Sequence, residues 1–241
     1  MRPNDYRPAL IAMVIGAVVL TAATLVISRP LAPSSMLGFW IAACVVSELL
    51  WVRLPLGNAT LSMSSCFNLA MLLVLPRGDA MLAALISVAF AEVAFMHKSA
   101  ARVAFNSCQT ALAVGAGSLA FASLAGPDPS LGGLIAHLDF LPFVVAALAY
   151  SVVNTGAVAL AVALAERTPI WHAWMENFGN AFELLIRAAL FSLGVLVGVN
   201  FSLTGPAGML LVGLPLVLAR FAYARRLERL AESLRELARA A

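Results

Sequence analysis

Eight apolar stretches occupy most of this chain, and their lengths restrict the folds that are open to it. A helix that crosses a bilayer needs about 20 mostly apolar residues, and most of the stretches are close to that length. The chain is 62% hydrophobic and 11% charged, with a mean hydropathy of +0.96, which is more apolar than a soluble domain. The sequence therefore predicts an all-α, polytopic integral membrane protein with about eight transmembrane helices. The predicted spans are residues 9–28, 36–52, 61–75, 79–96, 103–124, 140–165, 178–203 and 206–223.

The third stretch is too short for an ordinary span. As a helix, residues 61–75 cover roughly 22 Å, and the stretch begins with Ser62, Ser64 and Ser65. Irregular backbone at membrane depth is tolerated only where protein or a water-filled cavity covers it. We expect a tilted, broken or partly re-entrant element here.

The basic residues indicate the orientation of the chain. Eight spans place both termini on one side, and if that side is cytosolic it holds twelve of the fifteen Lys and Arg residues. Arg29 and Arg77 then lie outside, and Arg187 lies in the membrane. This asymmetry follows the positive-inside rule and predicts a multi-pass protein of a cytoplasmic membrane with both termini cytosolic. The same bias explains the formal charge of +3 and the pI of about 9.1, so no nucleic-acid partner is expected.

The last predicted span continues into a charged helix with a regular leucine spacing. Leu227, Leu230, Leu234, Leu237 and Ala241 recur at intervals of three and four residues, as in the a/d seam of a coiled coil. We call the four leucines the leucine seam. It predicts a homodimer and two parts of the chain, a transmembrane domain (1–223) and a cytosolic signalling helix (224–241). An amphipathic helix lying on anionic lipid is the alternative.

Polar side chains inside the spans are the candidates for a ligand site, because a charge at the bilayer centre costs about 2.5–3.5 kcal/mol on insertion scales. Asn180, Glu183 and Arg187 share one helix face at i, i+3 and i+7. Further polar groups lie in the fourth, fifth and sixth spans. The full set of predicted ligand-binding residues is Glu92, Asn106, Gln109, Asn154, Asn180, Glu183 and Arg187. Hydrogen bonds between helices, at about 0.6–2 kcal/mol each, explain the same residues without a ligand.

Catalytic chemistry has little support in the sequence. No metal-binding spacing, nucleophile elbow or phosphate loop occurs in the chain, and the three cysteines lie within apolar stretches. Glu48 and Glu92 are the candidates that an intramembrane enzyme would require. We predict no catalytic residue, no metal site and no cofactor.

Four short motifs resemble a family of bacterial multispanning sensor regions. They are residues 53–57 with 61–64 (RLPLG and LSMS), 106–109 (NSCQ), 153–155 (VNT) and 176–178 (ENF). In that family the regions precede HD-GYP phosphodiesterases, GGDEF cyclases and some histidine kinases, and the resemblance covers about residues 37–235. It implies a sensory input module in cyclic-di-GMP signalling, coupled through the last helix to a cytosolic output.

The chain departs from the family pattern in two ways. Ser107 and Cys108 stand where the family motif has two alanines. The sequence also carries no output domain, so an excised input module and a free-standing relative that acts through a partner both stay open as expectations.

A weaker resemblance supplies an alternative function. The serine-led third stretch, followed by a turn with Asp79, is similar to the substrate-binding S components of energy-coupling factor transporters. That resemblance implies binding or transport of a small molecule. The usual six spans of those proteins do not match eight.

For the sensor, we expect an unknown small molecule, a lipid or a membrane state to repack the spans around Asn106, Gln109, Asn154 and Glu183. The eighth span, with Pro215 as a kink, would then move the leucine seam.

Overall fold

A computed structural model describes residues 7–28, 34–49, 52–53, 60–61, 63–126 and 129–240. These residues form helices and their connections, apart from one short antiparallel ladder that pairs Val52 with Leu61 and Arg53 with Thr60. The all-α prediction is therefore confirmed for the described residues. The elements are α1 (Arg7–Ser28), α2 (Ser34–Leu49), β1 (Val52–Arg53), β2 (Thr60–Leu61), α3 (Ser64–Val74), α4 (Arg77–Ala94), α5 (Ala100–Ala125), α6 (Leu131–Ala136), α7 (Leu141–Glu166), α8 (Ile170–Phe178) and α9 (Ala181–Ala240).

Within the described residues, four helical segments are long and apolar enough to cross a membrane. They are Pro8–Ser28, Ala100–Ala125, Leu141–Glu166 and Glu183–Met209. Two apolar helices are shorter, Ser35–Leu49 and Ser64–Val74. The chain is thus a membrane protein by the composition and length of its helices. The described helices establish four candidate membrane spans, whereas the sequence predicts eight.

Leaving aside the short helices α6 and α8, successive helices of the bundle run in opposite directions. Gln109 lies beside Asn154, and Phe121 packs on Phe143 with ring centroids 5.5 Å apart, so α5 and α7 are antiparallel. Similar cross-contacts orient the remaining helices. The turn between α4 and α5 thereby lies at one end of the bundle, the Lys98 end. The α3–α4 turn lies at the other, which we call the Gly205 end.

One of the two shorter apolar helices, α3, occupies the centre of the bundle. α3 has 11 residues and is about 16 Å long, which is roughly half of a 30 Å hydrocarbon core. Eight of its residues are buried, because it packs against α2, α4, α5 and α9. This agrees with the expectation of an incomplete third segment covered by protein. Leu61, the predicted first residue of that segment, lies instead in β2.

Two glycines of α9 allow it to approach α3 closely. A β-carbon at Gly194 would lie 2.7 Å from the carbonyl oxygen of Cys66, and one at Gly198 would lie 3.4 Å from that of Ala70. The GxxxG spacing indicates a close helix contact, and the structure identifies the partner as α3.

A backbone break divides α9 at Gly205. Its φ of 67° and ψ of −157° lie in a region that is essentially restricted to glycine, and Pro206 follows directly. The sequence places the start of the last span at this dipeptide, whereas the fourth candidate membrane span, Glu183–Met209, continues across it. Pro215 lies ten residues further along the same helical element, so the predicted kink is at Gly205 instead.

Residues 206–240 are helical after the break, and the predicted domain boundary at 223/224 falls inside this helix. Arg225, Arg226 and Arg229 are exposed. The side chains of the leucine seam and the whole of Ala241 lie outside what the structure describes, so the predicted coiled coil stays a prediction.

Candidate functional site

Glu92 is at the centre of a charged cluster at the Lys98 end. Its Oε1 atom accepts hydrogen bonds from Lys98 Nζ at 2.5 Å and from Asn106 Nδ2 at 2.7 Å. The positive φ of His97, 50°, turns the chain after α4 so that Lys98 reaches back to Glu92. The Glu92 side chain is 7% exposed and that of Lys98 34% exposed. We call these three residues the Glu92 cluster.

The second carboxylate oxygen of Glu92 distinguishes this cluster from a completed ion pair. Glu92 Oε2 is buried and has no hydrogen-bond partner within the part of the chain that the structure describes. Glu48 on α2 is close enough to Glu92 to repel it electrostatically. Lys98 therefore compensates two carboxylates at this end of the bundle.

A second polar contact joins α5 to α7 one turn deeper. Gln109 Nε2 donates a hydrogen bond to Asn154 Oδ1 and lies 3.4 Å from the Asn154 carbonyl oxygen. On the next residue of α7, Thr155 Oγ1 accepts a hydrogen bond of 3.0 Å from Trp174 Nε1. These contacts connect α5, α7 and α8.

Tyr150 forms a third polar contact, at the centre of the bundle. It is 2% exposed, and its hydroxyl accepts a 3.2 Å hydrogen bond from Asn68 Nδ2. Ser65 also bonds to Tyr150, and Ser64 bonds to Glu48. Tyr150 is not among the residues predicted from the sequence. Its position four residues before Asn154, on the same face of α7, is the signal that would have found it.

The predicted ion pair on α9 is present. Arg187 Nη2 lies 3.4 Å from Glu183 Oε2, and the guanidinium carbon lies 4.7 Å from the centre of the Phe178 ring, within the range of a cation–π contact. Arg187 is also near Tyr150. Asn180 lies just before α9, and its carbonyl accepts a hydrogen bond from the Leu184 N–H at 3.1 Å.

The structure thus brings the predicted residues together mainly in pairs. Glu92 pairs with Asn106, Gln109 with Asn154, and Glu183 with Arg187. Three cavities among the described residues are lined by other residues. This geometry matches the hydrogen-bonding alternative, and the role of these side chains in ligand binding stays a prediction.

The first of the three cavities is an apolar groove of about 490 Å³ between α7 and α9.

Two cavities lie at the Gly205 end. The larger, about 680 Å³, is bordered by the ends of α3 and α5, the start of α4, α6, and α9 just before its break. We call it the Arg77 cavity, since Arg77 is the one charged residue among its described lining. Arg77 Nε donates a 3.0 Å hydrogen bond to Ser28 Oγ. Next to it, a cavity of about 430 Å³ is lined by both Ser202 and Gly205.

An aromatic cluster connects α2 to the segment before the break. The Phe201 ring lies 4.9 Å from Trp40 and 5.7 Å from Phe39, measured between centroids. Trp40 is fully buried, and its Nε1 has no hydrogen-bond partner among the described residues. No local sequence pattern indicates this contact, because it joins residues about 160 positions apart.

Comparison with known proteins identifies the family. A family model matches residues 9–226, and the chain belongs to the MASE9 family of membrane-associated sensor domains. This confirms the part of the sequence resemblance that concerns a membrane sensor region, and the family is one of sensors rather than enzymes. Searches of the curated proteins and of the solved structures found no match.

Proposed function

We propose that this MASE9 domain is a sensory input module that passes its state to a cytosolic output through residues 206–240. The observation that carries the proposal is the course of α9. It carries the Glu183–Arg187 pair in its first two turns, packs on the central helix α3 at Gly194, and is followed directly, at the Gly205 break, by the helix of residues 206–240. A shift of α9 against α3 would therefore displace the C-terminal helix.

The polar pairs are the proposed two-state element. Each one satisfies groups that are costly to leave unbonded in a membrane, so a molecule that offers a competing charged or amide group exchanges one set of bonds for another. The pair of Gln109 and Asn154 and the Glu92 cluster join different helices, and exchange at either one changes helix packing. In this way Asn180, Glu183 and Arg187 at the start of α9 would also contribute to binding.

We further propose the full topology: eight membrane crossings, both termini cytosolic, in a bacterial inner membrane. In support, Arg102 at the start of α5 and Arg167 at the end of α7 are at the Lys98 end, whereas Arg77 is at the Gly205 end. The distribution agrees with the positive-inside rule.

Cysteine labelling in intact cells tests this topology. Cys44, Cys66 and Cys108 are buried, so the background is low, and Arg102 and Ser123 are exposed at opposite ends. We expect a membrane-impermeant maleimide to label Ser123→Cys directly and Arg102→Cys only after permeabilisation. The reverse pattern would place the termini outside.

Homodimerisation through the leucine seam is the proposed means of output. In nanodiscs, we expect the full chain to be dimeric and a version ending at Tyr223 to be monomeric. Leu230→Lys combined with Leu234→Lys should abolish the dimer without changing the thermal stability of the bundle. Arg226→Gln with Arg229→Gln, at exposed positions of the same helix, is the matched control and should remain dimeric. A monomeric full chain would contradict the seam.

For the output itself we propose a cyclic-di-GMP enzyme domain, on the basis of the motif resemblance. A GGDEF cyclase domain fused after Ala241 makes this measurable. We expect cyclic-di-GMP production that falls in the Leu230→Lys, Leu234→Lys fusion and is retained in the Arg226→Gln, Arg229→Gln fusion. Equal cyclic-di-GMP production by the two fusions would mean that the leucine seam of the C-terminal helix does not control the output.

A further inference from the structure

The Arg77 cavity combines one cation with an otherwise neutral lining. Ser28, Ser118, Ser130 and Ser202 contribute hydroxyl groups, and the remaining wall includes Leu72 and Leu203. Its volume of about 680 Å³ lies within the range of roughly 300–1,000 Å³ that is typical of sites for small molecules. We propose that this cavity binds an amphipathic anion, with the carboxylate or phosphate at Arg77 and the apolar part against the leucine side chains.

The geometry of Arg77 favours an anion with two oxygens. Ser28 Oγ accepts the hydrogen bond of Nε, and the two terminal nitrogens of a guanidinium form a planar fork that matches a carboxylate or a phosphate. Arg77 is half-buried, so the pairing takes place where water screens it less than on an open surface. A cation of the same size would meet the guanidinium charge and be repelled.

The apolar part of the ligand follows from the walls. α3 ends at Val74, and residues 72–75 border the cavity from the centre of the bundle. Leu119 from α5 and Leu203 from α9 add apolar surface on other sides, since both are exposed. Burial of a hydrocarbon chain against such walls favours binding, because it removes apolar surface from water. A short fatty acid or the upper part of an anionic lipid therefore fits better than a small inorganic anion.

The position of the cavity connects binding to the break in α9. Ser202 and Leu203 line it, and they come three and two residues before Gly205. An occupant therefore touches α9 immediately before the backbone changes direction. The proposed binding does not depend on signalling. The further statement that the bound anion is the signal rests on the proposed function.

Binding of octanoate to the full chain in phosphatidylcholine nanodiscs tests the site. Octylamine and octanol have the same chain with a cationic and a neutral head group, and empty nanodiscs give the partitioning background. We expect saturable binding of octanoate only. Arg77→Gln should weaken it about tenfold or more, since a hydrogen bond to a charged group is lost, while Arg77→Lys should lose less. Arg102→Gln, the same charge change at the other end, should bind as the unaltered chain does.

A second pair of variants tests the location without altering charge. Ser202 and Ser123 are both exposed and both donate to the carbonyl three residues earlier, but only Ser202 lines the cavity. We expect Ser202→Phe to block octanoate and Ser123→Phe to leave it unchanged. The proposal is overturned if the unaltered chain binds no octanoate, if octylamine binds equally well, or if Arg77→Gln and Ser202→Phe both bind normally.

Adding phosphatidylglycerol to the nanodiscs distinguishes the two sources of the anion. Competition with octanoate identifies the occupant as an anionic lipid, and unchanged binding identifies it as a soluble amphipathic acid. The version ending at Tyr223 should bind octanoate like the full chain. If it does, and octanoate leaves the C-terminal helix unchanged in the full chain, the proposed signalling fails while the site stands.

Discussion

At the Lys98 end of the bundle polar side chains bond to one another, whereas at the Gly205 end they line an open cavity. Glu92 is 7% exposed and holds both Lys98 and Asn106. Arg77 is half-buried and its hydrogen bond goes to the neutral hydroxyl of Ser28. Glu92 Oε2 has no hydrogen-bond partner among the described residues; apart from that atom, the protein itself satisfies the Glu92 cluster further than it satisfies Arg77.

The length of α3 explains much of this difference. At the Lys98 end, Ser64 and Ser65 at the start of α3 bond to Glu48 and Tyr150. At the other end α3 stops at Val74, and the end of α5 and the part of α9 before its break border the cavity beyond it. A central helix that is too short to span thus leaves one end packed and the other receptive.

The largest expected effect breaks the packed end. Asn106→Leu removes an amide donor from a buried carboxylate, and we expect the free energy of unfolding to fall by about 2–3 kcal/mol. Ser202→Ala at the open end should change it by no more than about 0.5 kcal/mol. Unfolding with sodium dodecyl sulfate in mixed micelles measures both. Similar losses for the two variants would mean that the ends do not differ as described.

The break in α9 gives the next effect. Gly205→Ala places a side chain at a φ of 67° and ψ of −157°, and such strain costs about 1–3 kcal/mol. Gly213→Ala is the matched control, since a β-carbon there has no neighbour within 4 Å and alanine in a helix gains roughly 0.5–1 kcal/mol. The same unfolding experiment should give opposite signs, and a gain in both would place the break elsewhere.

A smaller effect tests whether the packed network extends to the centre. Tyr150→Phe removes the acceptor of Asn68 but keeps the ring, whose centroid lies 5.9 Å from that of Phe191. We expect a loss of about 1 kcal/mol in the free energy of unfolding. Ser192→Ala, an exposed hydroxyl on α9, should have no measurable effect. No loss in Tyr150→Phe would confine the network to the Lys98 end.

The sequence predicts the features of this molecule that depend on neighbours along the chain. The pair of Glu183 and Arg187 follows from a spacing of four residues, and the close contact of α9 follows from Gly194 and Gly198. The kink predicted at Pro215 lies instead at Gly205. The sequence does not predict what depends on the arrangement of distant helices. Asn68 and Tyr150 are 82 residues apart, and the cavity exists because parts of α3, α4, α5, α6 and α9 meet there, for which no local pattern is a signal.

The smallest effect compares one hydrogen bond from each end in double-mutant cycles. For the packed end the cycle uses Gln109→Leu and Asn154→Leu, and for the open end it uses Arg77→Met and Ser28→Ala. We expect a coupling energy of about 0.6 kcal/mol for the first pair, the average for polar contacts between membrane helices, because Gln109 is only 5% exposed. The second pair should couple more weakly, since water at the cavity mouth replaces whichever partner is removed. If the Arg77–Ser28 coupling equalled or exceeded the Gln109–Asn154 coupling, Arg77 would already be held by the protein, and the contrast between a satisfied and a receptive end would have to be abandoned.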